Sequence, residues 1–116
     1  MNLNRYTAFG LEIESELELP WLLPGSERSP DVVIRLGDVP IHLTEPVGKS
    51  WYFEATSDSF LFRVKDTARY LIVDGREITI ARLPGWHEDI LRTFLMGSGF
   101  GALLHQRGLL VVHAAS

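Results

Sequence analysis

The last quarter of the chain, residues 86–116, constrains the fold most, because it predicts a long helix followed by an apolar strand. Glu88 and Asp89 fall in the predicted first helical turn, where the helix dipole favours negative charge. Gly108 supplies a left-handed stop of the kind that commonly ends helices. We therefore predict a helix over residues 87–107, followed at once by a strand.

The predicted final strand, residues 109–115, reads LLVVHAA and contains no polar alternation. Such a run is typical of a strand that is buried on both faces. Chain ends are usually polar and frayed, whereas this one stops within apolar sequence. We therefore expect the natural polypeptide to continue past Ser116 and to supply the protein that covers this strand.

The predicted helix carries apolar residues on two sides. At about 100° per residue, one stripe is expected to lie on the sheet. This inward stripe consists of Ile90, Leu91, Phe94, Leu95, Ser98, Gly101, Ala102 and His105. The opposite side of the second half holds Met96, Phe100 and Leu103. A helix that is apolar on both sides is covered on both sides, so these three residues are predicted to form an interface with another domain or chain.

The region before the helix is dominated by short runs of alternating polar and apolar residues, which are typical of strands. Residues 6–19 alternate almost without interruption, with Glu12, Glu14, Glu16 and Glu18 sharing one face. We interpret that face as solvated strand surface, with a cation-binding or basic-partner surface as the alternative. Asp74-Gly75 is a strong hairpin signal, because both central residues of a type I′ turn need positive φ.

These patterns predict an α+β fold in a single N-terminal domain, residues 1–116. An antiparallel sheet of about six strands is expected over residues 5–82, packed on the one long C-terminal helix. The predicted strand over 109–115 then extends toward a second domain. Beyond residues 6–19, the predicted strands are 31–36, 51–56, 59–64, 67–74 and 76–82.

Composition excludes several classes of protein. The 116 residues suffice for one domain, and the net charge of −4 with dispersed basic residues argues against a nucleic-acid partner. The chain has no cysteine, which excludes a disulfide framework and fits a reducing compartment. With neither a signal pattern nor a membrane-spanning apolar run, we expect a cytoplasmic protein that does not contact membranes.

Several motifs resemble the N-terminal portion of bacterial kinases related to HPr serine kinase. They are YTAFGL near the start, YLIVDGREITI in the sheet region, GSGFGALLHQRG in the helix and the closing HAAS. In that family the last strand leads into a glycine-rich loop ending in Gly-Lys-Ser, which cradles ATP phosphates while its Ser holds Mg²⁺. Kinases of peptide-maturation clusters, such as those that modify lasso peptides, belong to this group.

The chain departs from the family in one respect, because no Gly-x-x-x-x-Gly-Lys-Ser/Thr occurs in it. The resemblance therefore implies that ATP and Mg²⁺ belong to a missing C-terminal kinase domain, and that this chain holds no cofactor. It also implies an N-terminal domain that binds the peptide or protein substrate or fixes a dimer. Phosphoryl transfer by this chain alone is not expected.

Candidate site residues follow from the same resemblance. Arg107 is expected to reach a phosphate in the absent domain, and His113 to orient groups beside the ATP site; simple helix capping and core packing are the alternatives. The histidines have no ligand-like spacing, so no metal site or catalytic triad is predicted. Two other readings stay open: a free-standing adaptor or homodimer that buries Met96, Phe100 and Leu103, and a small-ligand protein with a pocket between helix and sheet.

Overall fold

The computed structural model describes residues 3–109, which form one nine-stranded mixed sheet and one helix. The strands are β1 (Asn4–Ala8), β2 (Leu11–Ser15), β3 (Leu23–Pro24), β4 (Val32–Leu36), β5 (Gly48–Lys49), β6 (Phe53–Ala55), β7 (Ser59–Val64), β8 (Ala68–Val73) and β9 (Glu77–Arg82). Their order across the sheet is β3-β1-β2-β4-β9-β8-β7-β6-β5. Strands β5 to β9 form an antiparallel meander, which places the β6–β7 hairpin far to one side of the sheet.

The predicted fold class was wrong: the sheet is mixed, has nine strands and dominates the structure. Strand β4, the fourth in this order, runs parallel to both of its neighbours, β2 and β9. Parallel neighbours need long connections, and here these contain β3 or the meander itself. Alternation of side chains reveals which residues share a face but not the direction of the neighbouring strand. The sequence pattern therefore could not distinguish parallel from antiparallel pairing.

The predicted single strand over residues 6–19 was also wrong, because β1 and β2 form a hairpin there. Phe9 and Gly10 make the two-residue turn with φ of 56° and 76°. A bulky residue at positive φ is uncommon, so no ordinary turn signal marks this position. At the β8–β9 turn the prediction is confirmed, since Asp74 and Gly75 have φ of 54° and 63°.

The helix covers 19 residues, 88–106, in three segments. They are α1 (Glu88–Phe94), a π-helical turn (Leu95–Gly99) and α2 (Phe100–Gln106). His87 caps the first segment by accepting a hydrogen bond from the Asp89 backbone N–H. The predicted strand over 109–115 falls almost wholly outside the described residues.

The π turn decides which side of the helix meets the sheet. A π turn contains an extra residue, so the buried stripe shifts by one position after it. Leu91 and Leu95 are buried before the turn, and Phe100, Leu103 and Leu104 after it. Some residues that uniform helical spacing would place inward are therefore exposed; they include Ser98, Gly101 and His105.

The predicted partner interface requires correction for the same reason. Phe100 and Leu103 are 1% and 0% exposed, and both belong to the core of this chain. Met96 is partly buried and packs against the same core. The apolar residues Ile90 and Phe94, predicted to lie on the sheet, are instead 45% and 37% exposed.

Polar contacts fix the helix to the sheet in addition to this core. The Tyr70 hydroxyl donates to the Leu91 carbonyl over 2.8 Å, and burial raises the pKa of that hydroxyl. The Arg92 Nε donates to the Glu18 carbonyl over 2.8 Å. Tyr70 is fully buried and its ring stacks on Phe62 at 4.4 Å, so the hydroxyl is held beneath the helix.

Tyr70→Phe should lower the free energy of unfolding by about 0.5–1.5 kcal/mol, because it removes one buried hydrogen bond and leaves the ring in place. Urea denaturation followed by tryptophan fluorescence measures the change. Tyr52→Phe is the matched control, since Tyr52 is exposed, and its effect should stay within about 0.5 kcal/mol. Equal effects of the two substitutions would contradict a role for the Tyr70–Leu91 bond.

Candidate functional site: a groove beside the helix

An open groove of about 650 Å³ lies between the second half of the helix and the β6–β7 hairpin. Ten residues line it, five from each side. They are Ala55, Thr56, Ser57, Ser59, Phe60, Ser98, Gly101, Ala102, His105 and Gln106. The hairpin therefore forms one wall and the outer side of the helix the other.

The groove follows from the widths of the two layers. Nine strands spaced about 4.8 Å apart make a sheet roughly 40 Å wide. A helix with its side chains is only about 10–12 Å across. Its contacts with the sheet centre on β8, so the helix-facing side of β6 and β7 is left partly uncovered.

The floor of the groove is aromatic, and the wall formed by the helix consists of small residues. Phe60 stacks on Phe53 with ring centroids 5.5 Å apart, and both side chains are half-buried. Gly101 and Ala102 of the helix leave space beside that ring. At Gly101 even an added Cβ would meet no atom within 4 Å, so the wall is open there.

The rim of the groove is polar and tied down by hydrogen bonds. On the hairpin, Thr56 Oγ1 and Ser59 Oγ donate to one oxygen of Asp58 over 2.9 and 3.1 Å. On the helix, Gln106 Oε1 accepts from the Gly75 backbone N–H over 2.7 Å, and its Nε2 donates to the Ile72 carbonyl over 3.0 Å. Both sides of the rim are therefore positioned by the fold.

Arg107, one of the two candidate site residues, does not line this groove. Arg107 Nη1 donates to the Gly75 carbonyl over 2.6 Å, which docks the end of the helix on the β8–β9 turn. Arg107 is also the C-cap residue of α2, where its backbone N–H donates to the Leu103 carbonyl. His113 lies outside the described residues. A pocket between helix and sheet was one of the alternative predictions, but its lining was not predicted, because Ser98, Gly101, Ala102 and His105 were expected to face the sheet.

A second polar cluster lies in the connection between β4 and β6, residues 37–52, which we call the strap. Its centre is Glu54, whose side chain is 1% exposed. One oxygen of Glu54 is 2.6 Å from His42 Nδ1 and also contacts Arg63, while the other accepts from the Leu43 backbone N–H over 2.8 Å. These contacts, hydrogen bonding to His42 first, lower the pKa of Glu54 to about 2.

Arginines complete the fastening of the strap. Arg63 donates to the carbonyls of Ile41 and Trp51 over 2.7 and 3.2 Å. Arg69 donates to the carbonyl of Val39 over 3.1 Å. Since Arg63, Arg69 and Glu54 all bond backbone groups of the strap, we interpret the Glu54 cluster as a structural clamp and not as a reaction centre.

The row of glutamates on β2 and just after it also has hydrogen-bond and ion-pair partners. Glu12 is buried and accepts from the Ser26 backbone N–H over 2.8 Å, a bond that lowers its pKa. Glu16 accepts from the Leu36 backbone N–H over 2.8 Å, and Glu14 is 3.4 Å from Arg5. The prediction of a uniformly solvated face is therefore wrong at Glu12, and these contacts favour a structural role over cation binding.

No protein-family model, curated protein or solved structure matches this chain. Within residues 3–109, the acidic and histidine side chains form no group of three or more that could hold a metal ion. No helix of that same stretch is both long and apolar enough to cross a membrane.

Stability should depend on pH through Glu54. Its pKa falls from 4.5 to about 2 on folding, so the fold favours the ionised carboxylate. The stabilisation is fully present above pH 4.5 and is lost as the pH falls from there toward 2. Urea denaturation of the wild type and of Glu54→Gln should show a difference in free energy of unfolding that shrinks across that range.

Glu27→Gln is the control for this measurement, because Glu27 is an exposed carboxylate. It should change the pH profile little. A difference between wild type and Glu54→Gln that stays constant from pH 7 to pH 2 would show that ionised Glu54 does not fasten the strap.

Proposed function

We propose that this chain is the non-catalytic, protein-docking N-terminal domain of a cytoplasmic ATP-dependent serine kinase resembling HPr kinase. The carrying observation is the open groove of about 650 Å³ beside the helix, which offers an apolar seat within a polar rim. The groove receives an apolar side chain of a peptide or protein. Phosphoryl transfer, ATP and Mg²⁺ belong to a C-terminal domain outside these 116 residues.

The chemistry of the groove favours a protein segment as its ligand. Phe60 and Ala102 supply apolar contact, which is the usual source of affinity in such sites. The hydroxyls of Ser57 and Ser98 lie at the rim, where neutral peptide N–H and C=O groups can bond to them. A peptide in the groove can place an apolar side chain on the floor while its backbone hydrogen-bonds to the polar rim.

A charged small molecule fits less well. Among the lining residues, all of which lie in the described range, His105 is the one titratable side chain. Recognition of phosphate or carboxylate groups generally uses Arg, Lys or clustered backbone N–H donors. The absence of such groups from the described lining favours a neutral apolar anchor over a charged metabolite.

Blocking the groove should abolish peptide binding. Peptides selected from a phage-displayed random library on the wild-type chain should carry a bulky apolar anchor. They should bind Gly101→Leu at least tenfold more weakly, because the leucine occupies the space above Phe60. Fluorescence anisotropy with labelled copies of the selected peptides measures the affinity.

Gly97→Leu is the matched control for Gly101→Leu. Both glycines are exposed helical residues with open space at the Cβ position, but Gly97 does not line the groove. Each substitution should be tolerated, because glycine is the poorer helix former by up to about 1 kcal/mol. Failure to select any peptide, or equal binding to the two variants, would contradict peptide docking in the groove.

The 116-residue chain should neither bind Mg²⁺–ATP nor phosphorylate a peptide, because its sequence contains no phosphate-binding Gly-x-x-x-x-Gly-Lys-Ser/Thr loop. Calorimetric titration with Mg²⁺–ATP and radiolabelled transfer from ATP to serine peptides test the two statements. Measured turnover by this chain would overturn the assignment of catalysis to another domain.

A further inference from the structure

The strap lies outside the apolar core. None of its residues, 37–52, all of which the structure describes, belongs to the core cluster, and Val39 is its one buried apolar side chain. Ile41, Val47 and Trp51 are 59%, 83% and 84% exposed. Apolar burial, the main stabilising term for the core, therefore contributes little to holding the strap on the sheet.

Polar bonds to β6, β7 and β8 hold the strap instead. Glu54 accepts from the Leu43 N–H, and Arg63 and Arg69 donate to strap carbonyls. The two arginines lie directly opposite each other in the β7–β8 pair, where like charges repel. Each such bond makes only a modest net contribution to stability, because both groups can bond water when the strap is released. The strap is therefore fastened less firmly than the core is packed.

The end of the strap forms β5, the edge strand beside β6. Two backbone bonds join it to β6: the Val47 N–H donates to the Ala55 carbonyl over 2.7 Å, and the Ser50 N–H donates to the Phe53 carbonyl over 2.8 Å. Strand β6 has only three residues, and its other neighbour is β7. Release of the strap would therefore leave β6 as a short edge strand.

Strand β6 connects the strap to the groove, because successive side chains of a strand point to opposite faces of the sheet. Glu54 bonds the strap, whereas the adjacent Ala55 lies on the other face and lines the groove. Thr56 also lines the groove, and its N–H donates to the Ser59 carbonyl over 2.9 Å in the β6–β7 turn. Loosening of β6 would therefore loosen one wall of the groove.

We propose that the strap and β6 open together as a local unit while the core stays folded, so that the Glu54 cluster controls one wall of the groove. Local openings of this kind occur where few apolar contacts are buried. The inference names a regulation of the docking groove, and in that respect it rests on the proposed function. The opening itself does not depend on what binds there.

Native-state hydrogen exchange of the whole chain, followed by NMR at several urea concentrations below the unfolding transition, tests the opening. The N–H groups of Leu43, Val47, Ser50 and Thr56 should exchange with one common free energy and one common urea dependence. Both quantities should be smaller than those of the core strands β8 and β9. Exchange of these groups only through global unfolding, or with four unrelated free energies, would overturn the proposal.

Glu54→Gln sharpens the test, because it removes the charge of the clamp and keeps its size. It should accelerate exchange at all four N–H groups by the same factor, roughly tenfold, as charge-assisted bonds become neutral ones. Val47, Ser50 and Thr56 donate to backbone carbonyls and not to Glu54, so equal acceleration requires that they open with it. Acceleration confined to Leu43 would overturn the common opening.

Glu12→Gln is the matched control. Buried Glu12 accepts from the Ser26 N–H over 2.8 Å, as Glu54 accepts from the Leu43 N–H over the same distance. The control should accelerate exchange at Ser26 and leave the strap unchanged, whereas Glu54→Gln should do the reverse. Circular dichroism verifies folding of both variants, and the urea series on the wild type decides the opening even where a variant unfolds.

The selected peptides separate this inference from the proposed function. Because coupling between two sites is reciprocal, a peptide that needs the closed wall should slow exchange of the strap, although the strap does not line the groove. The slowing should be about fivefold or more at saturation and absent in Gly101→Leu. Unchanged strap exchange with peptide bound overturns the control of the groove and leaves docking intact. If no peptide is selected, docking fails, and exchange at Thr56 still decides whether the wall opens with the strap.

Discussion

The wide π turn at Leu95–Gly99 determines how the second half of the helix meets the sheet. With one extra residue in that turn, Phe100 and Leu103 enter the core, while Gly101 is exposed and Ala102 is only partly buried. A regular helix would reverse this assignment and expose a phenylalanine and a leucine to water. The recess beside the hairpin exists because small residues occupy the outer side after the turn. The core and the groove therefore depend on the same local departure from helical spacing.

The breadth of the sheet imposes a second constraint, because one helix cannot cover nine strands. On the helix side, the uncovered part of β6 and β7 becomes the floor of the groove. On the opposite side, the strap crosses the sheet and is fastened by Glu54, Arg63 and Arg69. A buried carboxylate would be costly if unpaired, but here both of its oxygens have partners. Polar bonds thus hold a covering segment where the apolar core does not extend.

Sequence reasoning was most successful where a local signal determines the local structure. Asp74-Gly75 specifies its turn because both residues tolerate positive φ, and β7 to β9 follow from alternation beside it. It failed where the decisive fact is non-local or unusual: the parallel pairing of β4, and the turn made by Phe9 at positive φ. The residues that line the groove were not predicted, for one reason. Periodicity assumes constant residues per turn, and the small residues before Gln106 carry no signal that the register has moved.

Gln106 belongs both to the rim of the groove and to the attachment of the helix end. Its amide bonds Gly75 and Ile72, and the neighbouring Arg107 packs so closely on Gly75 that a Cβ there would lie 2.5 Å from the Arg107 Cγ. The mouth of the groove at this end cannot widen without breaking those bonds. The width of the groove at this end is therefore fixed once the chain has folded. Binding of a side chain there would cost little conformational entropy of the protein, because the residues at the mouth are already ordered. The shape of the mouth at this end is therefore a property of the fold itself.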